Sequence, residues 1–234
     1  MITLEICAQS YNAAVNASLG GAHRIELCAQ LPTGGLTPDP KIIKKVKASI
    51  TIPVFVLIRP RIGDFVYTPT EIKLILKQIQ QSIDCGADGI VCGVLNSDDS
   101  IANKPLQKMI QVCQGLPFTF HRAFELVDYP SIGLDQLVDL GVQRILTGGK
   151  TGNAYQSRVE LAELNQYANG RITILAGSGI TSQNVIPLIQ SAKLHEVHTS
   201  AKYGKEAKVN QDQYDTNPEE IKDLLKKIRA LPIN

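Results

Sequence analysis

Two short segments of the sequence place a carboxylate and a thiol at the same spacing. Residues 4–9 are Leu-Glu-Ile-Cys-Ala-Gln, and residues 25–30 are Ile-Glu-Leu-Cys-Ala-Gln. Apolar and other residues alternate with the period of a β-strand, so the glutamate and the cysteine of each segment share one face. A helical pattern at Ser10–Gly20 separates the segments, which predicts parallel neighbouring strands. We therefore expect matching inward positions on the two strands for Glu5, Cys7, Glu26 and Cys28.

The two cysteines could bind a soft metal ion. Neighbouring strands are about 4.8 Å apart, and thiolates at that separation could bridge Cu(I). Structural zinc is less well served, because it needs four ligands and the sequence contains no Cys-x-x-Cys pair. The alternative is that Cys7 and Cys28 are small core residues, as we expect for Cys85 and Cys113 on helical patterns.

Further polar side chains occur late in strand-like runs, where barrel enzymes place their active sites. They are Arg24, Arg59, Arg61, Cys92, His121, Arg122, Glu196, His198 and Ser200. Arg59 and Arg61 could clamp an anion, and His121 could exchange protons together with Glu5 or Glu26. The structural alternative is a set of ion pairs that fills the upper barrel. Burying so many charges is costly before pairing, which weakens that alternative for the whole set.

Small residues follow two of the later strand-like runs. The seventh run ends in Ala176-Gly177-Ser178-Gly179, and the sixth ends in Thr147-Gly148-Gly149. Small residues let backbone N–H groups approach an anion, and barrels commonly bind phosphate after strands seven and eight. We therefore expect Gly177, Ser178 and Gly179 to contribute to anion binding. Tight turns after strands also require glycine, which is the structural alternative.

Eight strand-like runs recur at fairly even intervals and alternate with helical patterns. The runs are Ile2–Ala8, Arg24–Ala29, Pro53–Arg61, Gly89–Leu95, Phe118–Phe124, Arg144–Gly149, Ile172–Gly179 and His195–Ala201. The helical patterns are Ser10–Gly20, Pro40–Ala48, Thr68–Gly86, Lys104–Cys113, Leu134–Leu140, Arg158–Tyr167, one after Gly179 that contains Pro187, and one from Thr216. This order predicts an α/β protein, a single-domain TIM-type (β/α)₈ barrel over residues 1–234. An open doubly wound sheet usually has fewer strands.

Composition limits the partners that we expect. The net charge of the 234-residue chain is +2 with no basic block, which argues against nucleic acid and anionic membranes. No apolar run approaches the ~20 residues that span a bilayer. The first residues resemble no signal peptide, and the odd number of five cysteines favours reduced thiols, so we expect a cytoplasmic location. A homo-oligomer is compatible with the sequence.

Motifs along nearly the whole chain resemble the CutC family of copper homeostasis proteins. They are Glu5-Ile6-Cys7-Ala8, Arg24-Ile25-Glu26-Leu27-Cys28, Gly34-Gly35-Leu36-Thr37-Pro38, Ile58-Arg59-Pro60-Arg61-Ile62-Gly63-Asp64-Phe65, Thr119-Phe120-His121-Arg122-Ala123-Phe124, Arg144-Ile145-Leu146-Thr147, Ala176-Gly177-Ser178-Gly179 and Glu196-Val197-His198. The resemblance implies a TIM-type barrel, a cytosolic location and association with Cu(I). It also implies that Cys7 and Cys28 match the family's copper-contacting cysteines. Two departures are small: Glu125 stands where the family more often has Asp, and Gly148 where Ser is common, which weakens a side-chain role in that loop.

Three hypotheses remain open at the level of sequence. The first is a cytosolic Cu(I)-binding protein, which the two cysteines favour. The second is an enzyme acting on a small anionic metabolite, phosphorylated or not, which the wider set of Glu, Arg and His side chains favours. The third is an oligomeric scaffold. Fold alone does not decide among them, because one barrel supports many functions.

Overall fold

Eight parallel strands close into a barrel in which each strand pairs with the next and β8 pairs with β1. The computed structural model describes residues 2–203 and 216–231. The strands are β1 Thr3–Ala8, β2 Arg24–Leu27, β3 Val54–Leu57, β4 Gly89–Cys92, β5 Phe118–Phe120, β6 Arg144–Thr147, β7 Thr173–Gly177 and β8 Glu196–Thr199. The predicted TIM-type barrel is confirmed.

Eight α-helices surround the barrel in the residues that the structure describes. They are α1 Tyr11–Gly20, α2 Pro40–Lys47, α3 Pro69–Asp84, α4 Asn103–Val112, α5 Pro130–Asp139, α6 Arg158–Ala168, α7 Val185–Ala192 and α8 Pro218–Arg229. The predicted capping box before α3 is present, with Thr68 and Glu71 each accepting a hydrogen bond from the other's backbone N–H. Pro187 lies in the first turn of α7, where its missing N–H would have no helical partner, so α7 forms. Within residues 2–203 and 216–231, no helix is long and apolar enough to cross a membrane.

Several strands are shorter than their sequence patterns predict. β3 ends at Leu57 rather than at Arg61, and β5 ends at Phe120 and continues into a short 3₁₀ helix, Arg122–Leu126. The predicted runs included the loops that leave the sheet, because these loops contain apolar residues of their own. Arg59 and His121 therefore lie just beyond the carboxyl ends of their strands, where barrel sites are built.

The register of β1 and β2 corrects the expectation of matching positions. Glu5 lies opposite Arg24, and Cys7 lies opposite Glu26, so the two similar segments are offset by two residues. Strands of a barrel tilt and stagger around its axis, and this offset follows from that geometry. Because of this offset, Glu5 lies beside Arg24, whereas Glu26 lies beside Cys7.

Side chains alternate between the barrel interior and the layer of helices. The large apolar core lies between strands and helices and includes Leu4, Ile6, Ile25 and Leu27. A small apolar cluster lies inside the barrel and consists of Cys7, Cys28, Phe55, Leu57 and Val91, with Leu31 packed against it. Charged and polar residues lie in the interior as well, together with further apolar side chains such as Leu146.

Candidate functional site

The lower part of the barrel interior contains a network of ion pairs. Arg24 donates to Glu5 through Nε and to Glu196 through Nη2, the latter at 2.6 Å. Arg144 also pairs with Glu196, at 2.9 Å. The guanidinium carbons of both arginines lie over the ring of Phe55, 4.8 and 5.5 Å from its centroid. We call these four charged residues the lower layer: Glu5, Arg24, Arg144 and Glu196.

Glu5 is held ionised within this network. Its burial alone would raise its pKa, but the hydrogen bond with His198 and the charge of Arg24 overcome that effect and lower the pKa to about 2. His198 Nδ1 lies 2.7 Å from Glu5 Oε1. Burial opposes the charged form of His198, yet its hydrogen bonds with Cys7 and Glu5 and the nearby carboxylates raise its pKa well above the usual value. The pair is therefore a buried carboxylate with an imidazolium.

A cavity of about 430 Å³ opens above the lower layer, at the carboxyl ends of the strands. Its wall includes polar side chains that sequence analysis selected from several different strands or the loops after them. They are Cys7, Glu26, Arg59, His121, Arg122, Ser178 and His198. The volume lies in the range of small-ligand sites.

Two thiols meet beside this cavity: Cys7 lines it, and Cys28 lies next to Cys7 outside the lining. Cys7 Sγ lies 3.7 Å from Cys28 Sγ and 3.7 Å from Glu26 Oε1. Candidate ligand atoms of Cys7, Glu26 and His198 all lie within 4.8 Å of one another. The hydrogen bond with Cys28, burial and the charge of Glu26 together raise the pKa of the Cys7 thiol. We call Cys7, Cys28, Glu26 and His198 the thiol cluster.

Glu26 differs from Glu5 in having few partners. Glu26 is 4% exposed, and its Oε2 atom has no hydrogen-bond partner in the part of the chain that the structure describes. Burial is the main cause that raises its pKa, to about 7, despite the opposing charge of His198. Glu26 therefore lies near the midpoint of its titration at neutral pH and could accept or release a proton.

Arg59 and His121 form another part of the wall and pack against the same aromatic ring. The Arg59 guanidinium carbon lies 5.0 Å from the centroid of Phe65, and the His121 ring centroid lies 4.7 Å from it. Burial and the charge of Arg59 lower the pKa of His121 to about 3, so His121 is neutral. A Cβ at Gly93 would lie 2.6 Å from the imidazole, so this position requires glycine.

The structure does not gather all the predicted residues at one mouth. Glu5 and Arg24 lie beneath the cavity in the lower layer and do not line it. Arg61 lies outside the lining, because Glu71 and Asp64 bind its guanidinium at 2.5 and 2.9 Å. These three residues do not line the cavity with the others, because Glu5 and Arg24 pair with each other and Arg61 pairs with Glu71 and Asp64.

The remaining predicted residues are near the cavity. Arg122 lines it and is paired with Glu125 at 2.8 Å. Gly177 ends β7, and the residues after it, Ser178 and Gly179, line the cavity. Ser178 has a left-handed backbone with a φ of 87°, and its hydroxyl donates to the carbonyl of Gly152 at 2.6 Å. This loop contributes backbone to the cavity wall, whereas the serine hydroxyl binds the protein itself.

Sequence analysis missed two contributors. Arg144 begins β6 and points inward, which parity along the strand alone could have shown. Phe65 supports both Arg59 and His121, but it lies in a loop whose course no periodic pattern predicts.

Fold and cavity define a TIM-barrel protein with a polar site at the carboxyl ends of its strands. The chain belongs to the CutC family, which its sequence matches over residues 2–203. The human copper homeostasis protein cutC homolog is 41% identical over 199 residues, covering 85% of this chain and 73% of that protein. A CutC family protein from Histophilus somni is also 41% identical over 199 residues, covering 85% and 82%. The crystal structure of the putative copper homeostasis protein CutC from Streptococcus agalactiae superposes with a TM-score of 0.81 at 32% identity, covering 86% of this chain and 99% of that one.

Proposed function

We propose that this protein binds Cu(I) in the cytoplasm as part of copper homeostasis, with Cys7 and Cys28 as ligands. The supporting observation is the distance of 3.7 Å between their sulfur atoms. With metal–sulfur bonds of about 2.3 Å, as for zinc, two sulfurs that share one ion lie at most about 4.6 Å apart. The name of the human relative supports copper homeostasis independently of this geometry.

The chemistry of the thiol cluster favours a soft ion. Thiolates select Cu(I), and imidazole is a second suitable donor. The separation of the sulfurs is shorter than a linear arrangement would give, which leaves room for a third donor. His198 could supply it through Nε2 once that nitrogen has lost its proton, since Nδ1 is bound to Glu5. Cys7 must lose its proton on binding, and the positive charge of the ion compensates for the nearby carboxylate of Glu26.

Competition with a Cu(I) chelator, under anaerobic and reducing conditions, tests this proposal. We expect Cys7→Ser and Cys28→Ser each to weaken Cu(I) binding strongly, and the double variant to abolish it. Cys85→Ser is the matched control, because Cys85 lies at the end of α3, far along the chain from the thiol cluster. Binding by a folded double variant that is as tight as in the wild type would refute the proposal.

We propose a second candidate function, acid–base catalysis on a small anionic metabolite, because Glu26 presents a carboxylate oxygen with no partner among the described residues in a cavity wall. Glu26 would exchange the proton, while Glu5 fixes the orientation of His198 through their hydrogen bond.

Incubation of the metal-free protein with a library of carboxylated and phosphorylated metabolites in D₂O tests this second function. We expect mass spectrometry to detect a product or an incorporated deuteron with the wild type and not with Glu26→Gln. Cys28→Ser changes a residue outside the cavity lining and should retain the activity while it weakens Cu(I) binding, which separates the two functions. Equal turnover by Glu26→Gln would exclude Glu26 from this role.

A further inference from the structure

Arg59 is a buried cation without an anionic partner among the described residues. It is 8% exposed, and it forms no salt bridge with any residue that the structure describes. Arg24 and Arg122, by contrast, both pair with carboxylates. A buried charge is costly unless it is paired. The cavity beside Arg59 is therefore a place where an anion would be stabilised.

The hydrogen bonds of Arg59 leave the Nε–H of its guanidinium unused. Nη1 donates to the carbonyls of Thr33 and Gly35, at 3.3 and 3.4 Å, and Nη2 donates to the carbonyl of Gly63 at 2.8 Å. Nε has no partner among the described groups. Nη2 carries a second hydrogen besides the one donated to Gly63, and the Nε and Nη2 nitrogens share one edge of the guanidinium. This edge is the one that binds a carboxylate or a phosphate through two parallel hydrogen bonds.

His121 supplies a third donor with a defined tautomer. Its Nδ1 accepts a hydrogen bond from the backbone N–H of Ala123 at 3.2 Å, so in the neutral ring the proton lies on Nε2. The residue is 5% exposed, and Nε2 has no partner in the described part of the chain. In this tautomer Nε2 can donate a hydrogen bond and cannot accept a proton.

Both donors belong to one wall of one cavity. Arg59 and His121 pack against a shared neighbour, Phe65, and both line the cavity that also contains Glu26. Three N–H groups suit the two oxygens of a carboxylate, whereas a phosphate has further oxygens that need further donors.

We propose that Arg59 and His121 bind the carboxylate of a small organic acid, whose remaining atoms extend toward Glu26. The proposal rests on the second proposed function only in taking this cavity as a ligand site, and it requires no turnover. In this proposal His121 donates a hydrogen bond from Nε2–H to the carboxylate of the ligand.

Titration of the metal-free protein with pyruvate, lactate, malonate and inorganic phosphate tests the proposal. With ¹⁵N-labelled histidine and arginine, NMR should show His121 protonated on Nε2. We expect at least one of the three carboxylates to shift both the Arg59 Nε–H and the His121 Nε2–H signals, and to bind more tightly than phosphate. Because a hydrogen bond to a charged group is worth about 1.5–3 kcal/mol, we expect Arg59→Lys to weaken binding about 10- to 100-fold.

Arg61→Lys is the matched control, since Arg61 is two residues away from Arg59 and is paired outside the cavity. The affinity of this variant for the carboxylate should stay within about 2-fold of that of the wild type. His121→Gln keeps an N–H donor near the Nε2 position, so it should bind more tightly than His121→Phe. If a variant fails to fold, the proposal is still tested by whether a carboxylate shifts the Arg59 Nε–H and His121 Nε2–H signals of the wild-type protein.

The proposal is overturned if none of the carboxylates shifts both signals, if phosphate binds more tightly, or if Arg59→Lys and Arg61→Lys have equal effects. Carboxylate binding without turnover would refute the second proposed function and leave this site standing. Turnover of a metabolite without carboxylate binding at Arg59 would refute this site and leave the second proposed function standing.

Discussion

Strands β1 and β2 have nearly the same sequence, yet their glutamates have opposite properties. The pKa of Glu5 is lowered to about 2, and that of Glu26 is raised to about 7. Both side chains are buried and point into the barrel. The difference comes from the neighbours: Glu5 lies between Arg24 and His198 in the register of the sheet, whereas Glu26 lies between Cys7 and Phe55.

This comparison distinguishes two levels of the barrel interior, one with paired charges and one with polar groups that lack partners. In the lower layer every carboxylate has a cation, and Arg144 Nη1 is the polar atom of this layer that lacks a partner among the described residues. At the level of the cavity, Glu26, Arg59 and His121 each retain a polar atom without a partner among the described residues. The lower layer therefore stabilises the barrel, and the level above it is free to bind a ligand.

The largest expected effect is on stability, and it should separate the two glutamates. Glu5→Gln leaves Arg24 and His198 buried with one partner fewer, and breaking a buried ion pair in this way costs about 3–5 kcal/mol. Glu26→Gln removes a carboxyl group whose ionisation opposes folding at pH 7, so we expect no loss of stability, or a gain. Denaturant unfolding of the metal-free variants at pH 7 measures both values. Equal losses would show that the two glutamates are equivalent.

The contributions of Glu26 and Glu5 to stability should depend on pH in opposite directions. Folding raises the pKa of Glu26 from 4.5 to about 7, so the folded state binds its proton more tightly. The stability that Glu26 contributes is complete below pH 4.5 and is lost as pH rises toward 7, by up to about 1.4 kcal/mol per pH unit.

For Glu5 the sign is reversed, because folding lowers its pKa from 4.5 to about 2. Its contribution is present above pH 4.5 and is lost as pH falls toward 2. Unfolding of the metal-free wild type and of both Gln variants across this range isolates each effect by difference. A difference between wild type and Glu26→Gln that does not vary from pH 4.5 to 7 would contradict the assignment.

The smallest expected effect concerns the segments that leave the two strands. After β1, Ser10 accepts a hydrogen bond from the backbone N–H of Ala13 at 2.9 Å and begins α1. After β2, Gln30 has a left-handed backbone, and it precedes a 3₁₀ turn without a side-chain cap. Ser10→Ala should lower the free energy of unfolding by about 1 kcal/mol, and Ser10→Thr, which keeps the oxygen, by less. Denaturant unfolding measures both losses, and a loss in Ser10→Thr as large as in Ser10→Ala would argue against a capping role.

The alternation of strands and helices was predictable because each element has its own periodic pattern and its own ends. The box at Thr68 and Glu71 and the Asn217–Pro218 start of α8 are local signals, and the structure contains both. Strand ends were less predictable. The run at Phe118–Phe124 continues its apolar character into a 3₁₀ helix that no two-residue period distinguishes from a strand.

The candidate residues were identified by type and parity, whereas their roles depend on tertiary neighbours. Arg59 and Arg61 share a motif and a spacing that favours one clamp, yet Arg61 binds Glu71 on α3 and only Arg59 of the two reaches the cavity. His121 could have been a base from sequence alone. The hydrogen bond to its Nδ1 and its burial beside Arg59 make it a neutral donor.

The sequence by itself determined the barrel, the inward parity of Glu5, Cys7, Glu26 and Cys28, and membership of the CutC family, because these depend on local periodicity and on motifs. Only the tertiary structure decided which glutamate is ionised and which arginine lacks a counter-ion among the described residues. Those properties depend on the two-residue offset between β1 and β2 and on the closure of β8 onto β1, which brings His198 to Glu5 across almost the whole chain. Electrostatic partners in a barrel are set by strand stagger, and no local pattern in the chain encodes that stagger.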